Sequence, residues 1–221
     1  MPESPEMLAF MQGEWNARRL TRPQDALISL LQSPETMLRK HPIINTFDCV
    51  AHGVTKAYFR NGGADALRPG SKLGTARMHT TESFNIESVS GANCYGCAFP
   101  VHGVYTGQSS AAPLWYALDA SGPAMMLTAK LTGCTFVAKA GVGTDVMVTH
   151  LQPHQETGVE LNTRMLGPGR AAYGRLKYDI DTRSINIIGL RHSGRWQIWA
   201  QKLDKNATPT RLLSLHRIWP L

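Results

Sequence analysis

Residues 125–151, with the sequence MMLTAKLTGCTFVAKAGVGTDVMVTHL, contain the pattern that decides the fold. Three runs rich in apolar and β-branched residues follow one another, at 125–131, 134–140 and 145–151. A Thr132-Gly133 turn separates the first two runs, and a glycine-rich turn at 141–143 separates the last two. Short apolar runs bounded by turn residues are typical of buried strands. We therefore expect the three runs to form consecutive strands of one sheet.

The remainder of the chain divides into a helical beginning and a longer, strand-rich part. Thr21 and Gln24 form a capping-box pattern, and the apolar residues within 26–31 fall on one face of a helix. From residue 47 onward short β-rich runs alternate with turn residues, and 184–199 has the pattern of a hairpin. This order predicts an α+β domain, a central β-sandwich of mixed sheets flanked by helices, with an N-terminal helical segment at about 1–42.

Composition favours a single domain over residues 1–221. The hydrophobic fraction is 43%, no repeat of fixed period is present, and no stretch resembles a flexible linker. The N-terminus lacks the basic and apolar regions of a secretory signal, and no apolar run is long enough to span a membrane. We expect a monomer that acts away from membranes.

Positive charge is concentrated toward the C-terminus. The formal net charge is +7, and residues 164–221 contain eleven Lys and Arg against three Asp and Glu. A basic region of this kind favours a partner with an acidic surface, and it is also typical of an ordinary solvated face. Nucleic acid is not the expected partner, because the sequence has no helix-turn-helix, RNA-recognition or zinc-finger pattern.

Four cysteines in 221 residues are too few for a disulfide scaffold. Cys94 and Cys97 form a CxxC pattern, with His79 and His102 on either side. Thiolates and imidazoles are suitable zinc ligands, and a CxxC pair can also act in redox chemistry. The spacing matches no finger pattern, so ordinary buried thiols are the favoured interpretation and no metal site is predicted.

Cys134 and His150 are the candidate catalytic pair. Each belongs to one arm of the hairpin that the glycine-rich turn predicts. A three-residue loop at 141–143 would place them directly opposite one another, whereas a two-residue loop would place them on opposite faces. A neighbouring imidazole lowers the pKa of a thiol by forming an ion pair with the thiolate, so we expect Sγ and a ring nitrogen about 4 Å apart.

The segment Thr128-x-x-Leu131-Thr132-Gly133-Cys134 resembles the T-x-x-L-S-G-C signature of Burkholderia lethal factor. Its L-S-G-C core and a downstream histidine also occur in the cytotoxic necrotizing factors and dermonecrotic toxin, and the chemotaxis receptor deamidase CheD is similar. These proteins form the toxin-type protein-glutamine deamidase family. The chain departs from the pattern at Thr132, where the toxins carry serine, and in its spacing from Cys134 to His150, which differs from that of the lethal factor.

The resemblance implies a hydrolase that converts glutamine to glutamate in a target protein and releases ammonia. Cys134 would be the nucleophile and His150 its base, and Thr128 would orient the imidazole. The turn at Thr132 and Gly133 would bind the oxyanion, because backbone N–H groups there can face the reacting carbonyl. No cofactor is implied. Ala172-Tyr173-Gly174-Arg175 resembles a further segment of the lethal factor and makes Tyr173 an additional active-site candidate.

By the same resemblance the chain would be a bacterial toxin or virulence effector delivered to the cytosol of a target cell, and a cytoplasmic enzyme otherwise. Two alternatives remain open. One is another Cys-His enzyme, such as a peptidase or a transglutaminase, in which a different bond or a different acceptor is used. The other is a non-catalytic protein-binding module that uses the basic C-terminal region.

Overall fold

The computed structural model describes residues 23–62, 83–88, 97–178, 183–204 and 211–220. The helices within these ranges are α1 (Pro23–Gln32), α2 (Pro34–Lys40) and α3 (Gly158–Met165). The strands of the first half are β1 (Ile43–Thr46), β2 (Gly53–Gly62), β3 (Ser83–Ser88), β4 (Cys97–Val104), β5 (Thr106–Gln108) and β6 (Tyr116–Leu118). Those of the second half are β7 (Met125–Thr128), β8 (Thr135–Ala140), β9 (Val146–Gln152), β10 (Arg170–Tyr173), β11 (Arg183–His192), β12 (Arg195–Asp204) and β13 (Arg211–Trp219).

The strands form two mixed sheets. The larger sheet has the order β1-β3-β2-β4-β7-β11-β12-β13, and the smaller has the order β10-β8-β9-β5, with β6 also paired to β9. Most neighbours are antiparallel, but β1 with β3, β4 with β7 and β5 with β9 are parallel. The chain leaves the larger sheet and enters the smaller one at two places, between β4 and β5 and between β7 and β8.

Successive side chains of a strand point to opposite faces of its sheet, so each face packs against a different layer. One face of the larger sheet packs against α1 and α2, through Leu27 and Leu38 against Leu127. Its other face packs on the smaller sheet, where Met126 and Phe136 belong to one core. The far face of the smaller sheet is covered by α3. The predicted α+β architecture, a sandwich of mixed sheets flanked by helices with helices near the N-terminus, is confirmed.

The expectation that residues 125–151 supply three consecutive strands of one sheet is wrong. β7 belongs to the larger sheet, whereas β8 and β9 pair in the smaller one. The chain stays beside β11 as far as Leu131, which forms a bridge with Ile185. The Thr132-Gly133 turn then carries the chain across the sandwich instead of reversing it within one sheet.

Buried amide side chains tie the N-terminal segment to the larger sheet. Gln201 donates to the carbonyls of Leu38 and His41, both at 2.8 Å, and accepts the N–H of Ile43 at 2.7 Å. Asn186 donates to the carbonyl of Ile43. These bonds matter because a buried backbone group without a partner is costly. Residues 1–22 of the helical segment expected at about 1–42 lie outside the described residues. None of the helices in the described ranges is long and apolar enough to cross a membrane.

Candidate active site

The β8–β9 hairpin has a register that differs from both predicted ones. Phe136 pairs with His150, and the Gly141 N–H donates to the Asp145 carbonyl at 2.9 Å, so the loop is Val142-Gly143-Thr144. Gly143 supplies the left-handed backbone of this loop, with φ of +62°. The expected loop at 141–143 is therefore wrong by one residue.

This register still places Cys134 and His150 on the same face. Position 134 lies one step beyond the Thr135–Leu151 pair and is diagonal to His150. Side chains two positions apart share a face, so both point between the two sheets. Diagonal neighbours remain within reach of long side chains. The two residues also line one cavity of about 630 Å³, within the size range of small-ligand pockets.

The nucleophile candidate sits at the exit of a turn that only glycine adopts easily. Gly133 has φ of +138°, and Cys134 follows it with only 9% of its surface exposed. The Tyr178 hydroxyl accepts the Gly133 N–H at 3.0 Å and donates to the Cys134 carbonyl at 2.8 Å. One side chain thus bonds to both the Thr132–Gly133 peptide and the Cys134–Thr135 peptide.

His150 is buried, and two threonines hold its Nδ1. The Thr128 Oγ1 lies 2.6 Å from Nδ1, and the Thr106 Oγ1 lies 2.9 Å from it. The single Thr128 hydroxyl proton is donated to the Val104 carbonyl at 2.6 Å, so Thr128 accepts from the imidazole. This assignment puts the proton of a neutral imidazole on Nδ1 and leaves the lone pair on Nε2. Within the described residues, Nε2 has no hydrogen-bond partner.

The site is built where the chain changes sheets. Thr128 ends β7 in the larger sheet, whereas His150 lies in β9 of the smaller one. Val104 and Thr106 flank the crossing between β4 and β5, so one crossing supplies both the acceptor for Thr128 and the second hydroxyl. The Thr128 carbonyl is occupied separately, because Asn45 donates to it at 2.8 Å. Of the two Thr128 groups that could orient the imidazole, the structure uses the hydroxyl.

Burial disfavours the charged form of both candidate groups. It lowers the pKa of His150 from 6.5 to about 3, because a buried positive charge is costly. Burial also raises the pKa of the Cys134 thiol, against a smaller lowering by a backbone hydrogen bond from Thr132. Both shifts oppose the expected thiolate–imidazolium pair, and no hydrogen bond joins Nε2 to the sulfur. The pair and its separation of about 4 Å stay a prediction.

The remaining predicted site residues have different positions. Thr132 and Gly133 line the cavity with Cys134. However, the Gly133 N–H, an expected oxyanion donor, is already donated to Tyr178. Tyr173 is buried in the core between the sheets, where it stacks on Tyr178 with ring centroids 6.3 Å apart, and it is not on the cavity wall.

Three further residues of the site carried no local signal in the sequence. Thr106 reaches His150 because β5 pairs with β9 in parallel, Tyr178 reaches the turn from beyond β10, and Asn45 reaches Thr128 from β1. Each contact joins segments at least 40 residues apart. Only the assembled fold shows such contacts.

The other group of candidate ligands is only partly described. His79 and Cys94 lie outside the described residues, and nothing follows for a CxxC metal or redox site. His102 is buried, and its Nδ1 lies 2.9 Å from the Tyr116 hydroxyl. In the part of the chain that the structure describes, no group of three or more His, Cys, Asp or Glu side chains could hold a metal ion.

The segment from Thr128 to Cys134 thus contains both the threonine that contacts His150 and the nucleophile candidate. Its likeness to the toxin-type deamidases is confined to a short pattern. No protein-family model matches the chain, and no curated protein matches it.

Proposed function

We propose that this protein is a cysteine-dependent amidohydrolase that deamidates glutamine side chains of a target protein. One observation carries the proposal. The Nδ1 of His150 is anchored by Thr128, its Nε2 has no hydrogen-bond partner among the described residues, and His150 and Cys134 line the same cavity. A nucleophile, a base and a group that orients the base are the parts that nucleophilic catalysis of acyl transfer requires.

Proton transfer in this site accompanies attack. The thiol carries its proton at rest, because burial raises its pKa, and His150 is neutral because burial lowers its own. Nε2 therefore acts as a general base when a substrate amide arrives, rather than as the partner of a standing thiolate. The hydroxyls of Thr128 and Thr106 then stabilise the imidazolium by accepting its Nδ1–H.

The reaction balances with water as the only co-substrate. Cys134 Sγ bonds to the carboxamide carbon while its proton passes to Nε2, and the imidazolium returns that proton to the departing ammonia. Water then attacks the thioester with Nε2 as base, the C–S bond breaks, and the thiol recovers its proton. The products are glutamate and ammonia. No metal or organic cofactor takes part in these steps.

The cavity supports a side chain of a protein as the substrate. It is large enough for a carboxamide side chain, and Val50 and Tyr105, which line it, are exposed by 93% and 40%. Exposed apolar groups beside a deep reactive thiol would contact the surface of a target protein. Toxin or effector activity in the cytosol of a target cell belongs to the same proposal and is supported by the resemblance at residues 128–134.

Mass spectrometry of a protein lysate tests this function. Glutamine-to-glutamate conversions should appear with the wild type and with Cys49→Ser, which removes the other thiol of the same cavity. They should be absent with Cys134→Ser and with His150→Ala. Conversions that persist in Cys134→Ser would refute the proposal, and so would their absence with the wild type.

A primary amine added to the lysate distinguishes a deamidase, whose acyl acceptor is water, from a transglutaminase, whose acyl acceptor is an amine. A transglutaminase would attach the amine to the glutamine, whereas a deamidase yields glutamate in its presence. A binding module would cause neither change in any variant.

A further inference from the structure

The Tyr178 hydroxyl occupies a special position beside the nucleophile candidate. It accepts a hydrogen bond from the N–H of Gly133 and donates one to the carbonyl of Cys134. A phenol has one proton and can do both at once, which neither a phenolate nor a phenylalanine can do. Burial raises the pKa of Tyr178, so its hydroxyl keeps its proton. These two bonds span the nucleophile and hold the Thr132–Gly133 and Cys134–Thr135 peptide groups.

The Tyr178 ring is itself fixed. It is 5% exposed, and it stacks on Tyr173 with the two ring planes 10° apart. The Arg175 guanidinium lies over it at 6.0 Å from the ring centroid. Because the ring is held in place, its hydroxyl can fix the backbone conformation of the turn. A hydroxyl on an exposed, mobile ring would move with the turn instead.

The two bonds also decide which backbone groups remain for catalysis. The Gly133 N–H is directed at Tyr178 and is not offered to the cavity.

We propose that Tyr178 is a positioning residue for the nucleophile: its hydroxyl locks the Thr132–Cys134 turn so that Sγ faces the His150 side of the cavity. The kinetic consequence of this inference rests on the proposed function. The positioning of the turn rests only on contacts in the resting protein.

Tyr178→Phe removes the hydroxyl and keeps the ring, and Tyr173→Phe is the matched control. The described contacts of Tyr173 are ring contacts with Tyr178 and His216, which phenylalanine preserves. Intact-mass measurements with iodoacetamide, followed by peptide mapping, give the pH midpoint for alkylation of Cys134. We expect the midpoint to fall in Tyr178→Phe, because a loosened turn admits water and removes part of the burial that raises the thiol pKa. In Tyr173→Phe it should not move.

Ammonia release from benzyloxycarbonyl-glutaminylglycine, or from a target glutamine found in the lysate, gives the second readout. The turnover number should fall about 10- to 100-fold in Tyr178→Phe with KM nearly unchanged, because a displaced nucleophile loses orientation rather than binding. We expect Tyr178→Phe to show both a lower alkylation midpoint and a lower turnover number. Tyr173→Phe should show neither change, which separates positioning from a general loss of stability. Equal midpoints and equal turnover in the two variants would overturn the proposal.

Amide hydrogen exchange of the wild type supplies a test that needs no variant. The Gly133 N–H should be protected, although it lies in a turn. Exchange as fast as that of the open loop residue Gly143 would mean that the bond to Tyr178 does not form. Protection of Gly133 together with full deamidation by Cys134→Ser would instead refute the proposed function and leave the lock intact.

Discussion

Thr128 and His150 belong to different sheets, yet their side chains meet at 2.6 Å through Oγ1 and Nδ1. The bond is directional, because the Thr128 hydroxyl donates its own proton to Val104 and accepts the imidazole proton. The result is a buried base whose lone pair is on Nε2. The first three predictions below concern this arrangement or the cysteine that faces it, and the fourth concerns packing of the smaller sheet.

Thr128→Val should lower amidohydrolase activity, because it leaves the Nδ1–H with only the Thr106 hydroxyl and leaves the Val104 carbonyl without a donor. A buried group that loses its partner costs about 1–3 kcal/mol, so urea unfolding should show a loss of that size. Thr128→Ser retains the hydroxyl and should recover activity. Equal activity of the Val and Ser variants would show that the hydroxyl does not orient the base.

Alkylation of Cys134 by iodoacetamide should have its midpoint above pH 9.0, the ordinary value for a thiol, because burial raises its pKa. His150→Ala should leave that midpoint nearly unchanged, since burial opposes an ion pair in the resting protein. Peptide mapping must separate Cys134 from Cys49, whose pKa burial raises to about 11. Alkylation below pH 7 that is lost in His150→Ala would instead demonstrate a thiolate–imidazolium pair.

Stability should fall on acidification between pH 6.5 and about 3, the unfolded and folded pKa values of His150. In this window His150 binds a proton in the unfolded chain but not in the folded protein. Lower pH therefore favours unfolding. One such group contributes roughly 1.4 kcal/mol per pH unit. Urea unfolding at several pH values should therefore give a shallower dependence for His150→Gln than for the wild type. Parallel curves would show that His150 titrates normally in the folded protein.

Gly174→Ala should destabilise the fold, because an added methyl group would overlap the Thr135 hydroxyl and lie 3.0 Å from Cγ of Asn162. Overpacking of this kind costs about 1–3 kcal/mol. Gly107→Ala is the control, because nothing lies within 4 Å of its added methyl group. The change in unfolding free energy should stay within about 0.5 kcal/mol there. Equal effects at the two glycines would contradict the close packing of Gly174 against Thr135 and Asn162.

Local sequence signals predicted the hairpin and the shared face of Cys134 and His150, but not the position of the loop. The glycines at 141 and 143 both suggested turn residues, and the register depended on a backbone bond from Gly141 to Asp145 that composition does not encode. Gly141 therefore continues the ladder, and the left-handed residue is Gly143 alone in this loop. A shift of one residue at each side preserved the shared face of Cys134 and His150.

Tertiary contacts explain what the sequence could not predict. The Thr132-Gly133 turn between β7 and β8 was interpreted as a reversal within one sheet. A Thr-Gly pair is equally compatible with a chain that passes from one sheet to the other. Burial of His150 opposes the ion pair that Cys-His proximity suggests. Tyr178 lies 44 residues beyond Cys134, and no periodicity links the two.

The crossing of the chain at Tyr105 has a consequence for the order of events during folding. Val104 and Thr106 can hold Thr128 and His150 together only after the two sheets have docked. A chain whose sheets have not docked can form the Thr106 contact within the smaller sheet, but His150 lacks the Thr128 hydroxyl. Under the proposed function, full activity would therefore require the closed sandwich.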